Sequence, residues 1–256
     1  MLTLKIGVIG AGRLGSAFIE GLSKYHEVNV YDPNVEKISK IKGLKVMPSN
    51  EALASASDII LIAVKPKDVA ETLSSIAKLV EDKLVVSVAA GVTIKKLESL
   101  GAKHVIRLMP NIAISVEEGM LAYSLNPNAS SYEEEFVKTF ERLGKCLNVK
   151  EGYLDAITVC SGSGPAFIAA FADAIVKEAV AHGLDENIAR IAVAQTLVGT
   201  GKLMLRGRKA TDIIHQVASP GGVTEEGLKI LESHGVRDKI AEAMRFAIKK
   251  TSQLSK

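Results

Sequence analysis

Aromatic residues make up only 4% of the sequence and tryptophan is absent. The basic residues are scattered among acidic ones, with no cluster and no aromatic interleaving, and the net charge is only +3, so nucleic acid is excluded as a partner. Cysteine is scarce: Cys146 and Cys160 stand apart without metal-ligand or redox spacing, which predicts two buried free thiols. His26, His104, His182, His215 and His234 are equally dispersed, and no metal site is expected. No apolar run approaches the roughly 20 residues that a bilayer requires. The N-terminus runs into a strand pattern rather than a signal-peptide pattern, so a cytoplasmic address without a membrane is expected.

What the chain does have is a hydrophobic content of 47% and a charged content of 24% over 256 residues, the profile of one large or two modest globular domains. Its most informative stretch is Lys5 to Ser16. The apolar Ile6, Val8 and Ile9 lead to Gly10, Gly12 and Gly15 in Gly-x-Gly-x-x-Gly spacing, and Leu14, Ala17, Phe18 and Leu22 follow at helical period. That pattern predicts strand, tight turn and helix. Gly10 permits the turn, Gly12 admits a pyrophosphate close to the backbone, and Gly15 lets helix and strand pack closely. The phosphates would rest on unpaired N–H groups at the start of the helix, at Arg13, Leu14 and Gly15. The bland alternative is a tight turn that needs glycine for steric reasons alone. Placement directly between a strand and a helix favours a dinucleotide.

Val28 to Tyr31 reads as a second strand, and Asp32 follows about 20 residues beyond the glycine loop, where a carboxylate accepts from the adenosine ribose hydroxyls. Asp32 is equally suited to cap a helix starting at Pro33. In the ribose role it disfavours a 2′-phosphate and points to NAD over NADP, a preference that Lys37 or Asn34 would soften. Strand and helix patterns then alternate. Strands are expected at Leu44 to Val46, Ile59 to Val64, Leu84 to Val88, Val105 to Met109, Gly119 to Leu125 and Cys146 to Val149. The fold class is α/β, a doubly wound, mostly parallel sheet of Rossmann type, whose ligands bind off the carboxyl ends of the strands. Three stretches fall there: Ala63-Val64-Lys65-Pro66, Ala89-Ala90-Gly91-Val92 and Met109-Pro110-Asn111. Lys65 offers a charge near phosphate or ribose, or is a solvated loop lysine. Asn111 serves the site, or only satisfies local backbone.

From Tyr153 the character changes. Helix formers dominate in Ala166 to Ala181, Glu186 to Leu205, Ala210 to Gln216, Thr224 to Glu232 and Asp238 to Ser252, which gives an all-α domain over residues 152–256 behind a dinucleotide domain over 1–151. These helices are apolar on more than one face, so a homodimer through them is expected. Two glycine-rich loops punctuate them. Ser161-Gly162-Ser163-Gly164-Pro165 opens one helix, either as a plain helix start or as a site of close approach. Ser219-Pro220-Gly221-Gly222-Val223-Thr224 opens another, and its N–H groups and hydroxyls suit a carboxylate. The alternative there is a helix capped by Thr224.

With these residues the chain resembles the pyrroline-5-carboxylate reductase family over nearly its whole length. The resemblance rests on I-G-V-I-G-A-G-R-L-G at the N-terminus, A-V-K-P at Ala63 to Pro66, A-A-G-V at Ala89 to Val92 and R-L-M-P-N at Arg107 to Asn111. It also rests on S-G-S-G-P-A-F at Ser161 to Phe167 and S-P-G-G-V-T at Ser219 to Thr224. It implies reduction of the cyclic imine pyrroline-5-carboxylate to L-proline with NADH or NADPH, the last step of proline biosynthesis. It also implies a helical dimerisation domain, with dimers that assemble further into decamers in some members. By position, Ser219 and the N–H groups of Gly221 and Gly222 would hold the substrate carboxylate, and Thr224 the ring nitrogen. The loop with Ser163 and Gly164 would lie near the nicotinamide, and Ala89 and Asn111 near the cofactor. Two departures stand out. Ile112-Ala113 replaces the family's usual Thr-Pro or Ser-Pro, and Asp32 stands where polar or basic residues often accompany NADPH.

Two other functions fit the same architecture. One is a reductase of another imine or a 3-hydroxy acid, for which Lys177 is the nearest proton donor, about three turns beyond the Ser161 to Pro165 loop. The other is a non-catalytic NAD(P) redox sensor, which would respond to nucleotide but not to proline in a thermal shift.

Overall fold

The computed structural model describes residues 3–38 and 44–254. Among them one sheet is built from β1 (Lys5–Ile9), β2 (Glu27–Tyr31), β3 (Lys45–Val46), β4 (Ile59–Ile62), β5 (Leu84–Ser87), β6 (His104–Met109), β7 (Gly119–Leu125) and β8 (Gly144–Asn148). The strand order is β3-β2-β1-β4-β5-β6-β7-β8, and every pair is parallel except β6 with β7. That pair is antiparallel because the link from Met109 to Gly119 holds only a short 3₁₀ turn, Ile112–Val116, and no crossover helix. The order reverses between β1 and β4, which opens a crevice at their carboxyl ends.

Alternation along each strand supplies both faces. Ile6, Val8, Ile59, Leu61, Leu84 and Val86 join Phe18, Leu22, Phe136 and Phe140 of the helices Arg13–Leu22 and Glu133–Phe140. Ile60, Ile62, Val85 and Val105 join Leu53, Leu73, Ile76 and Leu97 of Asn50–Ser55, Val69–Ile76 and Ile94–Ser99. A strand covered on both sides must be apolar at every position, which is why Ile59 to Ile62 reads as a continuous run. Each large side chain so buried contributes about 1.5–3 kcal/mol. Ser49 and Thr93 cap two of these helices by accepting from the amides of Ala52 and Lys96. The Lys83 ammonium closes the other end of Asn50–Ser55 on the carbonyls of Ala54 and Ser57.

The helical part consists of Gly164–Ala181, Glu186–Leu205, Ala210–Val217, Val223–Ser233 and Val236–Leu254. Large apolar side chains there, Phe167, Phe171, Ile188 and Ile191 among them, are exposed. Glu151–Ala181 and Glu186–Leu205 also meet the length and composition of a membrane-crossing helix. Neither helix is an unbroken apolar run, because Asp173 and Arg190 interrupt them.

The compact units divide later than residue 151. One runs to Pro165 and takes in the chain's end from Ala247; the other is Ala166–Phe246. Residues 152–165 stay with the sheet because Leu154 is buried beside Met109 and Ala122, and Asp155 pairs with Arg107. Two expectations are corrected. Cys160 is exposed, because it lies in a π-helical turn, Thr158–Gly162, at the surface, while Cys146 is only partly buried. The helix after β2 starts at Val35 rather than Pro33, since Asn34 accepts from the Glu36 amide.

Candidate active site

The three glycines of the first loop have different reasons to be glycine. Gly10 has φ +101°, and a Cβ on it would meet the Ala63 carbonyl oxygen at 2.8 Å. A Cβ on Gly15 would fall on the Gly10 carbonyl. A Cβ on Gly12 would meet nothing within 4 Å. Gly12 is the N-cap of Arg13–Leu22 and offers no side-chain acceptor. The amides of Arg13, Leu14 and Gly15 find no acceptor among the described residues. Packing therefore explains two of the glycines, and the third leaves open space over exposed N–H groups at a helix N-terminus. The residues fit a bound pyrophosphate.

Asp32 is buried at the end of β2. One carboxylate oxygen accepts the Ala11 amide and the other the Asn34 amide, each at 2.8 Å, and the Lys37 ammonium lies 3.0 Å away. Burial alone would raise its pKa, but the Ala11 and Asn34 amides and Lys37 together outweigh it and hold the carboxyl below its ordinary value. Asp32 does not cap the following helix. It fastens the glycine loop to β2.

A groove of about 650 Å³ runs along these carboxyl ends. Gly10, Gly12, Asp32, Ala63, Val64 and Lys65 line it, as do Lys37 and Lys67. Pro66 follows as the first residue of a 3₁₀ turn. Register places Ile9, Ile62 and Ser87 side by side, so the Ala63–Pro66 and Ala89–Val92 loops leave the sheet next to the glycine loop. The Pro110–Asn111 loop leaves the neighbouring strand. Asn111 accepts from the Met120 amide and donates to the Ser161 hydroxyl at 3.3 Å, which brings the Ser161–Gly164 turn to the end of β6. Ser163 donates its amide to the Thr158 carbonyl, and beside Gly164 the space is open.

In the other unit, Ser219–Thr224 forms the expected turn into a helix, with different capping. The N-cap is Gly222, because the left-handed Gly221 (φ +72°) turns the chain two residues before Val223. Thr224 is therefore inside the first turn, and Glu225 stands at the third helical position, where its carboxylate accepts the Gly221 amide at 2.9 Å. That amide and then Lys229 hold the Glu225 carboxyl below its ordinary value. The Gly222 amide donates to the Ser219 carbonyl, and a Cβ there would meet Ser219 Oγ at 2.6 Å. Both glycines thus have a steric cause within the loop. The N–H groups without an acceptor among the described residues are those of Val223, Thr224 and Glu225, one step further along than Gly221 and Gly222.

Residues 151–254 match the family model for pyrroline-5-carboxylate reductase dimerisation, and residues 5–91 match that for NADP oxidoreductase, coenzyme F420-dependent. The pyrroline-5-carboxylate reductase of Methanosarcina acetivorans is 34% identical over 98% of each chain. That of Aquifex aeolicus is 36% identical over 100% of this chain and 98% of its own. The chain belongs to the pyrroline-5-carboxylate reductase family. Among solved structures, Plasmodium falciparum pyrroline carboxylate reductase with NADP bound matches with a TM-score of 0.90 at 29% identity, covering 100% of both chains.

Within this reductase fold the structure adds residues that the sequence did not single out. Asn50 lines the groove with its side-chain oxygen buried and unpartnered. Its position after a helix-capping serine carries no signal beyond the cap. Arg107, Glu151 and Asp155 form an ion-pair cluster in which the arginine is buried and both carboxylates are partly exposed. Ile112, the family departure, is exposed. Lys177 pairs with Asp173 one turn away on its own helix.

Proposed function

We propose that the chain reduces pyrroline-5-carboxylate to L-proline. The observation that carries this reading is the open amide cradle at Gly12 to Gly15 in a chain whose family is set by relatives over its full length. A bound nicotinamide cofactor supplies the hydride. The chain's own residues hold its pyrophosphate on the Arg13, Leu14 and Gly15 amides and take the substrate carboxylate at the Ser219–Thr224 loop. Thr224 orients the ring nitrogen. Lys229, the nearby ammonium in sequence, is tied to Glu225 and Glu226. The nitrogen's proton therefore arrives with the iminium or from water, and catalysis works chiefly by orientation, worth up to about 7–11 kcal/mol.

NADH is the preferred donor in this reading, because Asp32 places a carboxylate beside the ribose, and Lys37 keeps NADPH usable. The same reading gives a cytoplasmic homodimer. Its support is the exposed apolar side chains of the helical unit, which fall inside the matched dimerisation model, and the two free cysteines. Assembly of dimers into a decamer is part of it. Loss of reduced-nicotinamide absorbance on adding pyrroline-5-carboxylate, with NADH and NADPH in separate cuvettes, tests the activity and the preference together. Binding of nucleotide without turnover would turn the reading to another imine or to a redox sensor. Light scattering tests the assembly.

A further inference from the structure

Arg107 ends a charged cluster that the reaction as proposed does not use. It sits on β6 with its side chain 4% exposed. One guanidinium nitrogen lies 3.3 Å from Glu151 Oε1 and another 3.0 Å from Asp155 Oδ1. The same Glu151 oxygen accepts the Ile94 amide at 2.7 Å, at the start of the helix that follows the Ala89–Val92 loop. Asp155 belongs to the short helix Leu154–Ile157, which runs directly into the π-helical turn Thr158–Gly162. Ser161 of that turn meets Asn111, four residues beyond Arg107 on the same strand and loop. One guanidinium therefore joins the loop after β5, the loop after β6 and the segment that carries Ser161–Gly164.

Stability is a poor reason for such a cluster. Buried ion pairs often gain nothing over apolar replacements, since desolvation offsets their attraction. Glu151 and Asp155 are each about a third exposed, and the Arg107 Nε is buried without a partner among the described residues. What a planar guanidinium does supply is fixed geometry, two carboxylates held in set directions from one rigid strand. The π-helical turn gives that rigidity a purpose, because such turns lack the ordinary i→i−4 ladder and are common at functional sites.

We infer that Arg107 is a positioning residue for hydride transfer, acting through Asp155 and Glu151 to fix the Ser161–Gly164 turn at the ends of β5 and β6. This rests on the reading that the turn lies beside the nicotinamide. The substitution that tests it is Asp155→Asn in the full-length protein, which removes one arm at a partly exposed position, with Arg107→Lys as a second variant. A misplaced turn predicts kcat lowered about 10-fold. The NADH dissociation constant, read by nucleotide fluorescence, stays within twofold, because the glycine loop is untouched. Asp155→Glu restores kcat. In a double-mutant cycle with Ser161→Ala the losses in kcat are less than additive. Gly164→Ala serves as the control for the underlying reading. If it leaves kcat unchanged, that reading falls and the inference with it. If Gly164→Ala lowers kcat while Asp155→Asn and Arg107→Lys leave it unchanged, or if the Asp155 and Ser161 losses add, the inference alone is overturned.

Discussion

The Asp32 carboxylate accepts the Ala11 amide at 2.8 Å, so the acid at the end of β2 and the glycine loop at the end of β1 are one structural unit. Replacing Asp32 by alanine leaves a buried amide without its acceptor, a cost of about 1–3 kcal/mol. Asp32→Ala should therefore weaken both nucleotides through the loop, by tenfold or so for NADPH and by more for NADH, which also loses the ribose acceptor, as read by titrating nucleotide fluorescence. Asp32→Asn keeps an acceptor for that amide and should lose less. Unchanged affinity in Asp32→Ala would show that the loop holds its shape without the strut.

Lys37 offers a test of the proposed cofactor preference. Its ammonium lies 3.0 Å from Asp32 while its side chain remains 46% exposed, so its charge is available to a 2′-phosphate but screened by water. Lys37→Ala is expected to lower kcat/KM for NADPH by a factor of a few and to leave that for NADH nearly unchanged. The measured quantity is the ratio of the two values. Equal losses with both cofactors would remove Lys37 from any part in the preference.

Much of this was legible before the structure, for reasons visible in particular residues. Ile59 to Val64 announces a strand, which the structure ends at Ile62, because a continuous apolar run is a local signal. The glycine spacing named the loop, but only the structure distinguishes Gly15, which packing requires, from Gly12, which it does not. What stayed hidden is long-range. Arg107 meets carboxylates 44 and 48 residues away, and no local pattern announces such a pair. The alternative of a helix capped by Thr224 does not hold, because the left-handed Gly221 places the cap at Gly222. The exposure of Cys160 follows from a π-helical turn that periodicity at 3.6 residues does not encode.

Thr224 stands at the second position of Val223–Ser233, beside amides that find no acceptor among the described residues. If its hydroxyl orients the imine nitrogen, Thr224→Ala lowers kcat/KM for pyrroline-5-carboxylate by about 1–3 kcal/mol of transition-state binding. The KM for the nucleotide should stay constant, and Thr224→Ser should recover most of the loss. An unchanged kcat/KM would remove Thr224 from the site.

His26 gives the fold a pH dependence of its own. It is buried just before β2, and neither ring nitrogen has a hydrogen-bond partner among the described residues. Burial holds its pKa below the ordinary 6.5. The unfolded chain therefore takes up a proton at a pH where the folded one does not. The stabilisation this represents is complete above the unfolded value, about 6.5, and is lost as pH falls from there through the depressed folded value. The melting temperature should decline as pH falls below about 6.5, a range in which carboxylates ordinarily remain ionised. His26→Leu keeps an apolar side chain in the site and removes the titrating group, so its melting temperature should be flatter over the same interval. The same slope in both proteins would assign the acid sensitivity to other groups.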